Sequence, residues 1–341
     1  MKFDISQQPL VPAFLTLLAL AVAAACCLDL PTGTLDAAFA TAIGETGEAG
    51  TDGLMLRPLN DMLGAFEVAR PVWSRVFMGF LILFTGMCTG RMTVRSNLYG
   101  HSTCLAIPLY GIIVCGLNGF DGALAALTAS ALLALAVKNF CRSFRNGYSF
   151  DVLFRAGLYT GILLLVRHEA LPLVLLLPSA ILLFRRTRRE SIVALAGLVI
   201  PPLVVCYLNW GAGGTFLAPL LAFVDFFDFG VPFGFLATLD IAPLLLAGAV
   251  ALLDLLALGF FFANIYLLSS KSRTILLFAT CAFILTLATA AMPTATAATF
   301  ALWAVPSAIL LPVFFVRAHR NLARTLYAGL WALAVAALLL Q

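Results

Sequence analysis

Few side chains in this sequence are equipped for chemistry, and they gather in four places. Arg167, His168 and Glu169 stand consecutively between two apolar runs, where a shorter and blander connector would serve. An arginine there can take a phosphate through paired N–H bonds, and an adjacent His or Glu can carry a proton; the plainer reading is a solvated hairpin turn. Upstream, Asp52 and Asp61, with Arg57 and Arg70, can form the opposite wall of such a site, a carboxylate serving as base or metal ligand. They fit equally the polar face of an amphipathic helix. Asp225 and Asp228 share a helical face at i, i+3 spacing and can hold a divalent cation through oxygen ligands. Asp254 lies inside the apolar run 251–262. A carboxylate at the centre of a bilayer costs about 2.5–3.5 kcal/mol on insertion scales, so it must face other helices. It is either a proton or ion relay or a hydrogen-bonded structural carboxyl, with Asn264 or a neighbouring helix as partner.

The elements that position these groups are almost entirely apolar. Of 341 residues, 62% are hydrophobic and 11% charged, and the mean hydropathy is +1.05; soluble domains carry about 25% charge. Apolar segments follow one another at about 10–29, 72–90, 98–117, 122–137, 150–166, 171–184, 191–209, 241–268, 274–292, 298–316 and 325–340. A hydrocarbon core of about 30 Å takes about 20 such residues per helix. Barrel strands would alternate in polarity, and these do not. The expected fold is therefore all-α, a single integral membrane domain over 1–341 with about eleven spans.

Charge sets the expected orientation. With the N-terminus cytoplasmic, the inner positions collect sixteen of the twenty Lys and Arg, including Arg91, Arg95, Lys138, Arg142, the run Arg185 to Arg189, and Lys271. Arg57, Arg70, Arg75 and Arg167 remain outside with most of the acids, as the positive-inside rule requires. The net charge of +4 is thus a stripe of short loops and argues against a nucleic-acid partner. The eight cysteines fall in or beside apolar segments and read as small buried hydrophobes. The first segment reads as an uncleaved span rather than a signal peptide, although Ala23 to Cys26 faintly resembles a lipoprotein processing site.

Two outer connections break the rhythm of short loops, 30–71 and 210–240. In the first, Leu56, Leu59, Leu63 and Phe66 share one helical face, Arg57, Asn60, Asp61, Glu67 and Arg70 supply the polar remainder, and Pro58 and Pro71 bound the element. This is the pattern of an interfacial amphipathic helix. The second is Phe-rich but broken by Pro219, Gly230, Pro232 and Gly234, which predicts an interfacial or re-entrant segment. A Gly-rich nucleotide loop, a His-Glu-x-x-His motif and a Gly-x-Ser-x-Gly elbow are missing, which disfavours ATP-driven pumping and zinc proteolysis.

Residues 155–214 run Arg-Ala-Gly-Leu-Tyr-Thr-Gly-Ile-Leu-Leu-Leu-Val-Arg-His-Glu-Ala-Leu-Pro, then a span, the basic turn Arg185 to Arg189 and a second span ending near Asn209. This pattern resembles the GT-C membrane glycosyltransferases, which share the first span, the long outer loop with interfacial helices and the many later crossings. It is similar also to a family of bacterial polytopic membrane proteins without an established activity, sharing the inner-basic, outer-hairpin layout through 138–214. The GT-C resemblance implies a polyprenyl-phosphate-linked sugar as donor, with Asp52 or Asp61 as base or metal ligand, Arg167 on the phosphate, and placement in the inner (plasma) membrane. The chain has isolated acids in this loop where those enzymes carry an adjacent acidic pair. Two other functions stay open: a non-catalytic membrane scaffold, and a small-solute or lipid transporter using Asp254.

Overall fold

The computed structural model describes residues 8–27, 58–117, 122–142, 149–225, 233–292 and 295–340. Helix accounts for 85% and no strand occurs among the described residues. In chain order the α-helices are α1 (Leu10–Cys27), α2 (Pro58–Ala69), α3 (Pro71–Arg95), α4 (Ala106–Leu117), α5 (Ala123–Phe140), α6 (Phe150–Val166) and α7 (Leu176–Leu183). They continue as α8 (Arg188–Gly211), α9 (Ala218–Asp225), α10 (Ile241–Ala263), α11 (Ser270–Ala290), α12 (Phe300–Arg317) and α13 (Arg320–Leu340). Short 3-10 helices include His168–Leu175 and Gly234–Thr238. Seven helices, α3, α5, α8, α10, α11, α12 (from Ala297) and α13, are long and apolar enough to cross a membrane.

The arrangement differs from that of a protein in water in being apolar outside as well as inside. A helix that is apolar on every side belongs inside, and two helices here are enclosed on every side. Every residue of α4 is buried, as is every residue of α12 from Phe300 to Phe315. Around them the rim helices turn large apolar side chains outward, among them Ile192 and Tyr207 on α8 and Leu252 and Leu255 on α10. The interior meanwhile holds Thr85, Thr89, Ser130, Thr160, Thr286 and Ser307. Several of these hydroxyls donate to carbonyls of their own helix, Thr89 to Gly86 at 2.8 Å and Thr160 to Ala156 at 2.9 Å, so the burial of these two leaves no donor stranded. An apolar exterior around a sparsely polar interior is stable where the surroundings are lipid.

The closest helix crossing is α6 against α8. The backbones approach so tightly that a Cβ on Gly157 would strike the Ala194 carbonyl, one on Gly161 the Leu198 carbonyl, and one on Gly197 the Phe154 carbonyl. Small residues four apart let the two backbones touch, which is how helices associate without a hydrophobic drive. The two helices are also tied at their start: Thr187 and Glu190 form a capping box on α8, and Glu190 Oε1 accepts from the backbone N–H (3.2 Å) and hydroxyl (2.9 Å) of Ser149, just before α6.

Segment 171–184, expected as one apolar span, consists of the 3-10 helix with Pro172 inside it, followed by α7. Eight residues at about 2.0 Å rise and eight at about 1.5 Å reach about 28 Å. The tighter helix thus lets 16 residues, His168–Leu183, approach the thickness of a hydrocarbon core. In the connection 210–240 α9 has eight residues, about 12 Å, and packs on α8; no described helix within 210–240 has the length of a crossing.

Candidate functional site

Arg167 ends α6. Its backbone is extended (φ −138°, ψ 102°), which stops the helix, and the 3-10 helix starts at the next residue. Arg167 Nη2 donates to Glu169 Oε2 at 3.1 Å and to Thr296 Oγ1 at 2.6 Å. Both members of the ion pair are buried, with side chains 10% and 5% exposed. Gly122, left-handed at φ +77°, begins α5 alongside: a Cβ there would lie 4.0 Å from Arg167 Nη1. The three residues are therefore not a solvated hairpin turn. Arg167 and Glu169 are a buried anchor that joins α6, the start of α5 and the approach to α12, with His168 half-buried between them.

Beside this anchor a cleft of about 360 Å³ opens between α10, α11 and α12. Phe233, Phe235, Leu244, Gly248, Phe300 and Trp303 give it an apolar, aromatic wall, and Thr299 sits on its edge. Thr299 Oγ1 donates to Thr296 O at 2.7 Å, so one turn of chain connects the cleft to the arginine anchor. One turn further along, past Ala251 on α10 and Trp303 on α12, lies Asp254. It is fully buried, its Oδ2 accepts from Ser307 Oγ at 2.6 Å, and the Trp303 indole approaches the same carboxylate. The partner of Asp254 is thus Ser307, fifty-three residues away. Asn264 instead caps its own helix by donating to Phe260 O at 3.0 Å.

Other candidate residues are less closely gathered. Asp61 is on α2, which packs against α3, α5 and α6, and therefore near the end of the bundle that holds Arg167. Arg70 follows α2 directly and is the N-cap residue of α3. Leu59 and Leu63 pack on the core as their spacing predicts. Phe66, expected on that apolar face, is 40% exposed, whereas Glu67, expected on the polar face, is 4% exposed. The reason is register: 59, 63 and 67 follow one another at i, i+4 and share a face. Asp225 is the last residue of α9; Asp52, Arg57 and Asp228 lie outside the described residues. Among the described residues no three His, Cys, Asp or Glu side chains converge.

Five of the seven described free cysteines are buried, and Cys26 is exposed. Burial pushes the Cys141 thiol up, outweighing the nearby Arg186 charge, so it stays protonated. Sequence reasoning did not find Thr296, Ser307 and Trp303, since nothing in their local spacing announces a partner so distant along the chain. Comparison of the chain with family models, curated proteins and solved structures finds no match.

Proposed function

We infer that this is a multi-pass protein of the cell's inner (plasma) membrane, N-terminus cytoplasmic with about eleven crossings, that handles a polyprenyl-phosphate-linked sugar at the outer leaflet. The eleven-span count adds α1, α4, α6 and the segment His168–Leu183 to the seven longer helices. Contacts between turns that this count assigns to one side support it. Cys104 N–H donates to Gln8 O at 3.1 Å, Ser272 Oγ to Asn97 O at 3.4 Å and Arg186 Nη2 to Arg142 O at 2.9 Å, all inner positions. Gly122, Arg167 and Thr296, all outer, meet at the other end.

The observation that carries the functional reading is the junction of the aromatic cleft with the Thr296–Arg167 anchor. An isoprenoid chain needs an apolar slot and its phosphate needs a cation at the slot's mouth; here the two are one helical turn apart. In transfer, an acceptor hydroxyl attacks the anomeric carbon while a carboxylate, Asp52 or Asp61, takes its proton. The bond from the anomeric carbon to the phosphate oxygen breaks, and the polyprenyl phosphate leaves with its charge facing Arg167.

The position of Asp254 below the same cleft favours a second reading, a lipid or small-solute transporter in which this carboxyl exchanges a proton. Gly248 separates binding from collapse, because a Cβ added there meets nothing within 4 Å. Gly248→Leu should therefore fold normally and block the slot. In proteoliposomes the wild type should quench Trp303 emission on adding polyprenyl phosphate and release it from a labelled sugar donor. Gly248→Leu should lose both and Asp61→Asn only the release. Proton-coupled flux that disappears in Asp254→Asn, with no sugar released by the wild type, would replace this reading with the transporter; no binding and no flux would leave the scaffold.

A further inference from the structure

At the end of the bundle opposite Arg167, a cavity of about 220 Å³ lies between the end of α3, the end of α5 and the start of α11. Its lining contains Arg91, Arg95, Lys138, Arg142 and Lys271, and no carboxylate among the described residues. Membrane topology accounts for basic residues in inner loops. It does not account for five of them, from three elements well separated in sequence, converging on one hollow.

Two other cations at this end lie beside carboxylates. Arg155 pairs with Asp151 at 3.0 Å, and Arg186 donates to Arg142 O and lies 4.0 Å from Glu190. The cavity's walls are braced as well. Arg186 holds the carbonyls that follow α5. Ser272, next to Lys271, donates to Asn97 O just past α3, and Ser269 caps α11. Ser96 and Asn139 add neutral polar groups to the lining. The last carbonyls of α3 and α5 offset some of this charge, but helix ends supply only about half a charge each against five cations.

We propose that this cavity binds a phosphate-bearing anion, either the headgroup of an anionic phospholipid in the adjacent leaflet or a soluble phosphate. Arginines grip phosphate through paired donors and lysines as point charges, and the hollow leaves room for bridging water. The site stands independently of the sugar-handling reading, since it shares no residue with the cleft or the Arg167 anchor.

The test uses the full-length protein in nanodiscs, with the thermal unfolding midpoint as readout. One arm replaces part of a phosphatidylcholine bilayer with phosphatidylglycerol, without free phosphate; the other keeps phosphatidylcholine and titrates inorganic phosphate. The wild type should show a saturable rise in at least one arm that weakens with added salt. A rise with phosphatidylglycerol alone identifies a lipid, and a rise with inorganic phosphate identifies a soluble ligand. Arg95→Gln and Lys271→Gln change exposed side chains, and each should weaken half-saturation about tenfold, the weight of one charge-assisted bond. Arg189→Gln, exposed at the same end but outside the cavity, should leave it unchanged. No rise in either arm, a rise kept in both cavity variants, or an equal loss in Arg189→Gln would overturn the proposal.

Discussion

The two ends of the bundle treat charge in opposite ways. Around Arg167 a single cation is buried, matched by Glu169 and by the Thr296 hydroxyl, and walled by α5 and the approach to α12. Around Lys271 five cations share one hollow, four of them exposed, with no carboxylate among the described lining residues. The first arrangement satisfies itself, because a charge taken out of water must find its partners in the protein. The second has no acidic group among its described lining residues and is open to water, counterions or a bound anion. A buried pair therefore holds its cation in a fixed place before any ligand arrives, and an exposed cluster stays open to something outside the chain. The cleft above Asp254 belongs with the first end, and its polar mouth is already organised before any ligand arrives.

This contrast can be broken most strongly at Glu169. Glu169→Ala removes the carboxylate from a buried pair and should destabilise the protein by about 3–5 kcal/mol, measured by steric trapping or by the unfolding midpoint in detergent. A loss below about 1 kcal/mol would mean the pair behaves as a surface salt bridge. Between the two ends, Gly197→Leu would push a side chain into the Phe154 carbonyl. It should cost about 1–3 kcal/mol or more through overpacking, with no dependence on salt, so it serves as the charge-independent reference. Lys271→Glu should have the smallest effect on stability, under about 1 kcal/mol in either direction because the group is exposed, while abolishing the anion response of the cavity.

Much of this was legible in the sequence because lipid imposes simple rules. The apolar segments all overlap helices, and the prolines at 58 and 71 bracket α2 at Pro58–Ala69. Where the reading went astray, a physical competitor intervened. The segment after Arg167 adopts a 3-10 helix over His168–Leu175, which a 3.6-residue pattern does not reveal. Glu67 is buried because α2 packs through the 59, 63, 67 row rather than through Phe66. The partners of Arg167 and Asp254 are Thr296 and Ser307, tertiary neighbours that no local spacing encodes. The inner cavity shows the same limit: each of its cations is explained by topology alone, and only the packing of α3, α5 and α11 makes them one group.

The account rests on lipid as the solvent of the rim and on opposite faces of the membrane for the two ends. Single cysteines at Ala212 and Arg189, both exposed and at opposite ends of α8, test this directly in a background with Cys26 and Cys27 replaced by serine. A small impermeant maleimide added to intact cells should label Ala212→Cys at once and Arg189→Cys only after the membrane is permeabilised. Labelling of Arg189→Cys in intact cells while Ala212→Cys stays silent would contradict the orientation, and equal labelling of both would contradict the crossing itself.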